Sequence, residues 1–114
     1  MSEKPVIWLG DSREMTTGFP DDVRKIAGFQ LWRVQRGLEL NNWKPMSSIG
    51  PGVREIRIRT GAEHRVLYVA KFAEAIYVLY AFEKQTRRAP KAELDLTRQR
   101  LRALINPDPK INVA

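Results

Sequence analysis

Val53-Arg-Glu-Ile-Arg-Ile-Arg59, Thr60-Gly-Ala-Glu63, His64-Arg-Val-Leu-Tyr-Val-Ala70, Lys71-Phe-Ala-Glu74 and Ala75-Ile-Tyr-Val-Leu-Tyr-Ala-Phe82 follow one another without a break in the middle of the chain. Successive side chains of a strand point to opposite faces. Val53, Glu55, Arg57 and Arg59 therefore share one face, and Arg54, Ile56 and Ile58 share the other. Thr60–Glu63 is a connection of hairpin length, so 64–70 returns beside 53–59. Residues 75–82 are apolar on both faces, the pattern of a strand covered on both sides and central in its sheet. Three strands in succession with short turns predict an antiparallel meander.

Outward from the meander the pattern changes to helix. Pro20-Asp21-Asp22 opens one: proline suits the first turn, and two acids complement the helix N-terminus. Val23, Ile26, Ala27, Leu31, Val34 and Leu38 recur at helical spacing, with Gly37 or Asn41-Asn42 as the stop. Phe29 and Trp32 lie beside that stripe, either because the helix is covered on two sides or because they line a groove for a partner. Before it, Val6–Leu9 reads as a short strand, and Arg13-Glu14-Met15 as a helical turn that Gly18 ends. Residues 41–52, dense in Pro, Gly and Asn, read as a long loop. Beyond the meander, Pro90 starts a second helix whose stripe is Leu94, Thr97, Leu101, Leu104 and Ile105, and Asn106-Pro107-Asp108-Pro109 ends it. The expectation is an α+β domain over residues 1–106: an antiparallel-rich sheet of about four strands with helices packed on one face, and a frayed tail over 107–114.

The 114 residues carry a net charge of +7 and are 43% hydrophobic. That is ordinary for a globular chain and too apolar for a disordered one. The charge is uneven. Residues 1–52 hold seven Lys and Arg against six acids, and residues 53–102 hold twelve against six. A basic region of this kind favours a polyanionic partner. There is no cysteine and one histidine, which excludes disulfides, thiolate metal sites and cysteine nucleophiles. No metal or cofactor is expected, since the acids show no ligand spacing and Gly50-Pro51-Gly52 lacks the Lys and helix of a phosphate loop. The apolar run Val6–Leu9 is too short for a signal peptide and no segment is long enough to span a bilayer, so a cytoplasmic location without membrane attachment is expected.

What remains is a set of permanent cations: Arg57 and Arg59 on one strand face, Arg65 on the next strand, and Lys84, Arg87 and Arg88 after the third. Guanidinium groups grip phosphate bidentately and stabilise charge developing on it. RNA supplies its own nucleophile, the 2′-hydroxyl. An enzyme that cleaves it needs only to orient that hydroxyl, take its proton, neutralise the phosphate and protonate the leaving oxygen.

Residues 53–59 and 64–68 resemble the RelE/ParE superfamily of toxins. Leu79-Tyr-Ala-Phe-Glu-Lys-Gln-Thr-Arg-Arg-Ala-Pro90, running on to Arg100, looks like the phage-derived, HigB-like branch. The resemblance spans about residues 5–105. It implies a RelE-like domain acting as the toxin of a type II toxin–antitoxin system. It also implies metal-independent cleavage of messenger RNA, usually on the ribosome, and a helix-turn-helix antitoxin as partner. Arg57 and Arg59 fall on the family's basic second strand, Arg65 on the arginine after the hairpin turn, and Lys84 on the lysine after the last strand. The expected catalytic set is Arg57, Arg65, Lys84 and His64, with Arg54, Arg59, Arg87, Arg88 and Lys91 binding RNA; Tyr68 and Tyr80 are further acid/base candidates by chemistry. The chain departs from the pattern twice. Glu55 stands where the RelE type has lysine, and the Tyr or His that several RNase members carry near the chain end has no counterpart in Ile111-Asn-Val-Ala114. Because function lives in the site rather than the fold, a ParE-like gyrase inhibitor and a non-catalytic nucleic-acid-binding relative stay open as alternatives.

Overall fold

The computed structural model describes residues 3–85 and 91–106. The chain order is β1 (Val6–Trp8), α1 (Ser12–Thr17), α2 (Asp21–Gln35), β2 (Trp43–Pro45), β3 (Val53–Arg59), β4 (Glu63–Val69), β5 (Ile76–Lys84) and α3 (Lys91–Ile105). The strands form one sheet in the order β1-β5-β4-β3-β2. The meander is antiparallel throughout, and β1 joins β5 in parallel at the far edge. The α+β class read from the sequence is the class observed.

α2 begins and ends as its sequence dictates. Pro20 precedes it with φ −52°, and Asp21 and Asp22 occupy the first turn. Gly37, at φ +69°, closes it: its N–H donates to the Val34 carbonyl at 3.1 Å, and the Leu38 N–H donates to the Arg33 carbonyl at 2.9 Å. That pair of bonds needs a left-handed residue at the turn, which glycine adopts without strain. Val23, Ala27, Gln30 and Leu31 are its buried face. Ile26 and Leu38, expected in the stripe, are exposed.

The sheet has five strands rather than four. The additional one is β2, inside the segment read as a loop. Trp43, Lys44 and Pro45 pair with Ile56, Glu55 and Arg54. A three-residue strand has no periodicity to detect, and Pro45 is tolerated because β2 lies at the sheet edge.

The placement of helices needs a second correction. Helices on one face were expected, and α2 does pack there, with Val23, Ala27 and Leu31 against Ile56, Ile58, Val66, Ile76 and Val78. α3 lies on the other face. Its Leu101, Leu94 and Leu104 pack with Val53, Leu67, Val69, Tyr77 and Leu79. The cause is that β4 and β5 are apolar on both sides, so a single helical layer would leave the second side in water. An irregularity at Leu67/Tyr68 adds to that side: Leu67 pairs with Tyr80 and Tyr68 with Val78, so Leu79 and Tyr80 both join the α3 cluster.

α3 is fastened by Arg100. Its guanidinium donates to the Leu79 carbonyl at 2.8 Å and to Asp11 Oδ1 at 2.6 Å, and lies 5.2 Å from the centre of the Tyr80 ring. A Cβ on Gly10, where φ is +54°, would meet that guanidinium, so a side chain there would push Arg100 off its bonds. Arg100→Met keeps the packing and loses the bonds. It should cost about 2 kcal/mol, since hydrogen bonds to a charged group are the strong kind, as read from urea unfolding.

Candidate nucleic-acid interface

α3 covers only part of its face. Beyond its cover the same face carries Glu55, Arg57 and Arg59 from β3, Glu63 and Arg65 from β4, and Lys84 from β5. The strand alternation puts them together, and the register aligns them: Arg57 is opposite Arg65, Arg59 opposite Glu63, and Glu63 opposite Lys84.

Two arginines directly opposite one another on one face repel. The carboxylates resolve this. Glu55 Oε1 accepts from Arg57 Nε at 3.0 Å and lies 3.3 Å from Arg65 Nε. Arg65 Nη2 donates to Glu63 Oε2 at 3.1 Å, and Glu63 Oε1 lies 3.0 Å from Arg59 Nε. The result is a chain of charges, Arg57–Glu55–Arg65–Glu63–Arg59, with Lys84 at its flank. Four cations against two carboxylates leave an excess of two positive charges.

The members differ in access, and that separates their roles. The Arg65 side chain is 3% exposed and Glu55 is 8% exposed, so both belong to the base of the patch. Arg57 is 28% exposed and Arg59 63% exposed. Both outer arginines meet their carboxylates through Nε, an arrangement that can turn the terminal amino groups outward toward a phosphate. Glu55, noted in the sequence only as a departure from a lysine, is the group that makes two facing arginines tolerable. Half of its signal was available, since a carboxylate two residues before Arg57 shares its strand face, but its second partner comes from β4.

The other expected residues fall elsewhere. His64 is opposite Ile58, so it points to the α2 side, behind the sheet from Arg57 and Arg65. It is 3% exposed and edge-on to Phe19 at 4.7 Å between ring centres. It is a packed core residue, separated from the cation cluster by the thickness of the sheet. Arg54 is on the same side as His64, stacked over Trp43 at 4.4 Å. Tyr68 lies opposite Arg54 and is fully buried. Burial pushes the pKa of its hydroxyl up, and Arg54 draws it only partly back. Tyr80, beneath Arg100, is also shifted up, chiefly by burial, with Glu93 and Asp11 adding to it and Arg100 opposing. Both are therefore protonated at neutral pH. Lys91 is exposed at the start of α3. Arg87 and Arg88 lie outside the described residues.

A second surface stands on α2. Phe29 and Trp32 are exposed and stacked 5.9 Å apart, with Arg33 over the first ring and Arg36 over the second. The helix is thus covered on one side only, and these aromatics do not belong to the core. Among the described residues no group of His, Cys, Asp and Glu could hold a metal ion, and no helix is long and apolar enough to cross a membrane.

Comparison with known proteins fits this architecture. No curated protein matches the chain. A sequence model of phage-derived Gp49-like proteins (DUF891) matches residues 14–102, from α1 through most of α3, and so includes every charged residue of the patch. The chain belongs to the phage-derived Gp49-like family, a toxin-like family related to RelE and HigB.

Proposed function

We propose that the chain is the toxin of a toxin–antitoxin pair and that it cleaves messenger RNA in the cytoplasm, on the ribosome, by the 2′-hydroxyl route. The observation that carries this reading is the ion-pair chain on the α3 face of the sheet. It holds Arg57 and Arg59 at the protein surface on a rigid strand, and with Lys84 beside it two positive charges are in excess. Cations fixed in this way need no reorganisation when charge builds on the scissile phosphate. Arg57 and Arg59 grip the phosphate oxygens, Lys84 adds a positive charge beside them, and Arg65 holds both carboxylates beneath.

The partner in this reading is a helix-turn-helix antitoxin whose acidic segment covers the basic face while the toxin is silent. Association with RNA then depends steeply on salt, with each lost phosphate contact lowering the slope by about one.

Induction of the chain alone in bacterial cells is the test. Growth and translation should stop, and primer extension on an abundant messenger should show discrete cuts. Arrest with intact messenger and blocked supercoiling by purified gyrase would instead identify a gyrase inhibitor. Because His64 faces the core on the opposite side, His64→Phe should leave the arrest as complete as in the wild type, as measured by colony counts after induction.

A further inference from the structure

Arg54 and Arg57 are near in sequence but on opposite faces of β3. On its own face Arg54 lines a cleft of about 730 Å³, bounded by residues 34–40 on one side and by Gly52, Tyr68, Ala70 and Lys71 on the other. Tyr68 is a fully buried residue of this lining, and its hydroxyl, although Arg54 lies close enough to lower its pKa, makes no hydrogen bond of good geometry among the described residues. A buried polar group without a partner is rare and destabilising, and calls for an explanation. Arg54 stands beside it with no carboxylate partner among the described residues, held in place by the Trp43 ring at 4.4 Å. Lys71 passes over Gly52 in the same cleft and is likewise without an acid partner among the described residues.

The other cations of the cleft are occupied. Lys4 Nζ donates to the Ala70 and Phe72 carbonyls at 2.8 and 2.9 Å. Arg36 pairs with Glu3 at 2.9 Å. What is left is the Arg54 guanidinium, Lys71, whose ammonium lies 5.5 Å from the centre of the Phe72 ring, and a protonated hydroxyl, with the exposed carboxylate of Glu39 on the same lining, beside an apolar wall of Val34, Leu40 and Ala70.

We propose that this cleft is a binding site for a phosphate monoester, the 5′-phosphate of a nucleotide, separate from the basic patch on the α3 face. A guanidinium alone saturates the two oxygens of a carboxylate, whereas the three donor groups here match the oxygens of a phosphate. With Arg36 and Glu3 paired, Lys4, Arg54 and Lys71 against Glu39 leave two positive charges, which match its double charge. The volume exceeds that of a bare phosphate, and the apolar wall takes the nucleoside. A free mononucleotide and the 5′-end of a nucleic acid present the same group.

The test is thermal unfolding and titration calorimetry of the purified full chain with inorganic phosphate, AMP, a 5′-phosphorylated deoxyhexanucleotide and its 5′-hydroxyl counterpart. AMP or the phosphorylated oligomer should raise the Tm of the wild type. Arg54→Gln should abolish the rise, and Arg102→Gln, which removes a charge outside the cleft, should keep it. Tyr68→Phe should weaken binding about ten-fold and, without ligand, raise the Tm, because it deletes an unpartnered hydroxyl. Equal binding of AMP and the phosphorylated oligomer identifies a free nucleotide as sufficient. Much tighter binding of the oligomer identifies a nucleic-acid end, and inorganic phosphate should bind more weakly than either. The proposal is overturned if no phosphate compound shifts the wild type, if the 5′-hydroxyl oligomer binds as well as the phosphorylated one, if the shift survives Arg54→Gln, or if Tyr68→Phe lowers the Tm of the free protein.

Discussion

Glu55→Gln should lower the stability of the domain by about 3 kcal/mol, a fall in Tm of roughly 10 °C for a chain of this size. The substitution keeps shape and removes one charge. In its place Arg57 and Arg65, directly opposite one another, lose the carboxylate oxygen between them. Arg65 is the sensitive partner. It is 3% exposed and its Nη1 already lacks a hydrogen bond, so water cannot take over from Glu55. Arg65 keeps Glu63, but taking one of its two carboxylates from a buried cation costs far more than the pair contributes to stability, because the desolvation remains and that attraction is gone. The paired substitution Glu55→Gln/Arg65→Met should therefore recover much of the loss, and a double-mutant cycle in urea should show a coupling above about 1 kcal/mol. Additive effects would mean that Glu55 does not bridge the two arginines.

Arg57→Ala/Arg59→Ala should do the reverse, with a large effect on activity and a small one on the fold. Removing preorganised donors from a developing oxyanion costs about a hundred-fold or more in rate, so cells induced for the double variant should grow while the wild type arrests. The fold survives because Arg65 still pairs with both Glu55 and Glu63. The Arg59–Glu63 pair lies toward solvent, where it contributes about 1 kcal/mol or less, and the buried Glu55 loses Arg57 but stays paired with Arg65. A Tm near that of the wild type together with restored growth is the expected combination. Persistent arrest would remove these arginines from the mechanism.

The strand faces were legible because a period of two assigns each side chain of β3 once one is known to be buried. The closure of α2 was legible because glycine at position 37 supplies the left-handed turn. The position of α3 was not legible. Periodicity shows that Leu94, Leu101 and Leu104 are buried, but not against which side of a sheet that is apolar on both. β2 escaped because pairing with β3 alone defines it.

Pattern and resemblance group Arg57, Arg59, Arg65 and Lys84, and the register brings these four onto one face of the sheet. Arg54 was grouped with them for its charge, although the alternation already puts it on the other face of β3, and His64 because proximity in sequence hides the register of the hairpin. The hairpin register corrects this: with Arg59 opposite Glu63, His64 must face the same way as Ile58. The bridging role of Glu55 needs the fold, because its second partner comes from β4.

The central claim is that the basic face directs the RNA 2′-hydroxyl against its own phosphate. The chemistry of the new 3′-ends on messenger fragments, isolated after induction of the wild type, tests it most directly. Fragments ending in a 2′,3′-cyclic phosphate, absent in the Arg57→Ala/Arg59→Ala variant, are the expected result. Fragments ending in a free 3′-hydroxyl, or intact messenger in arrested cells, would contradict it.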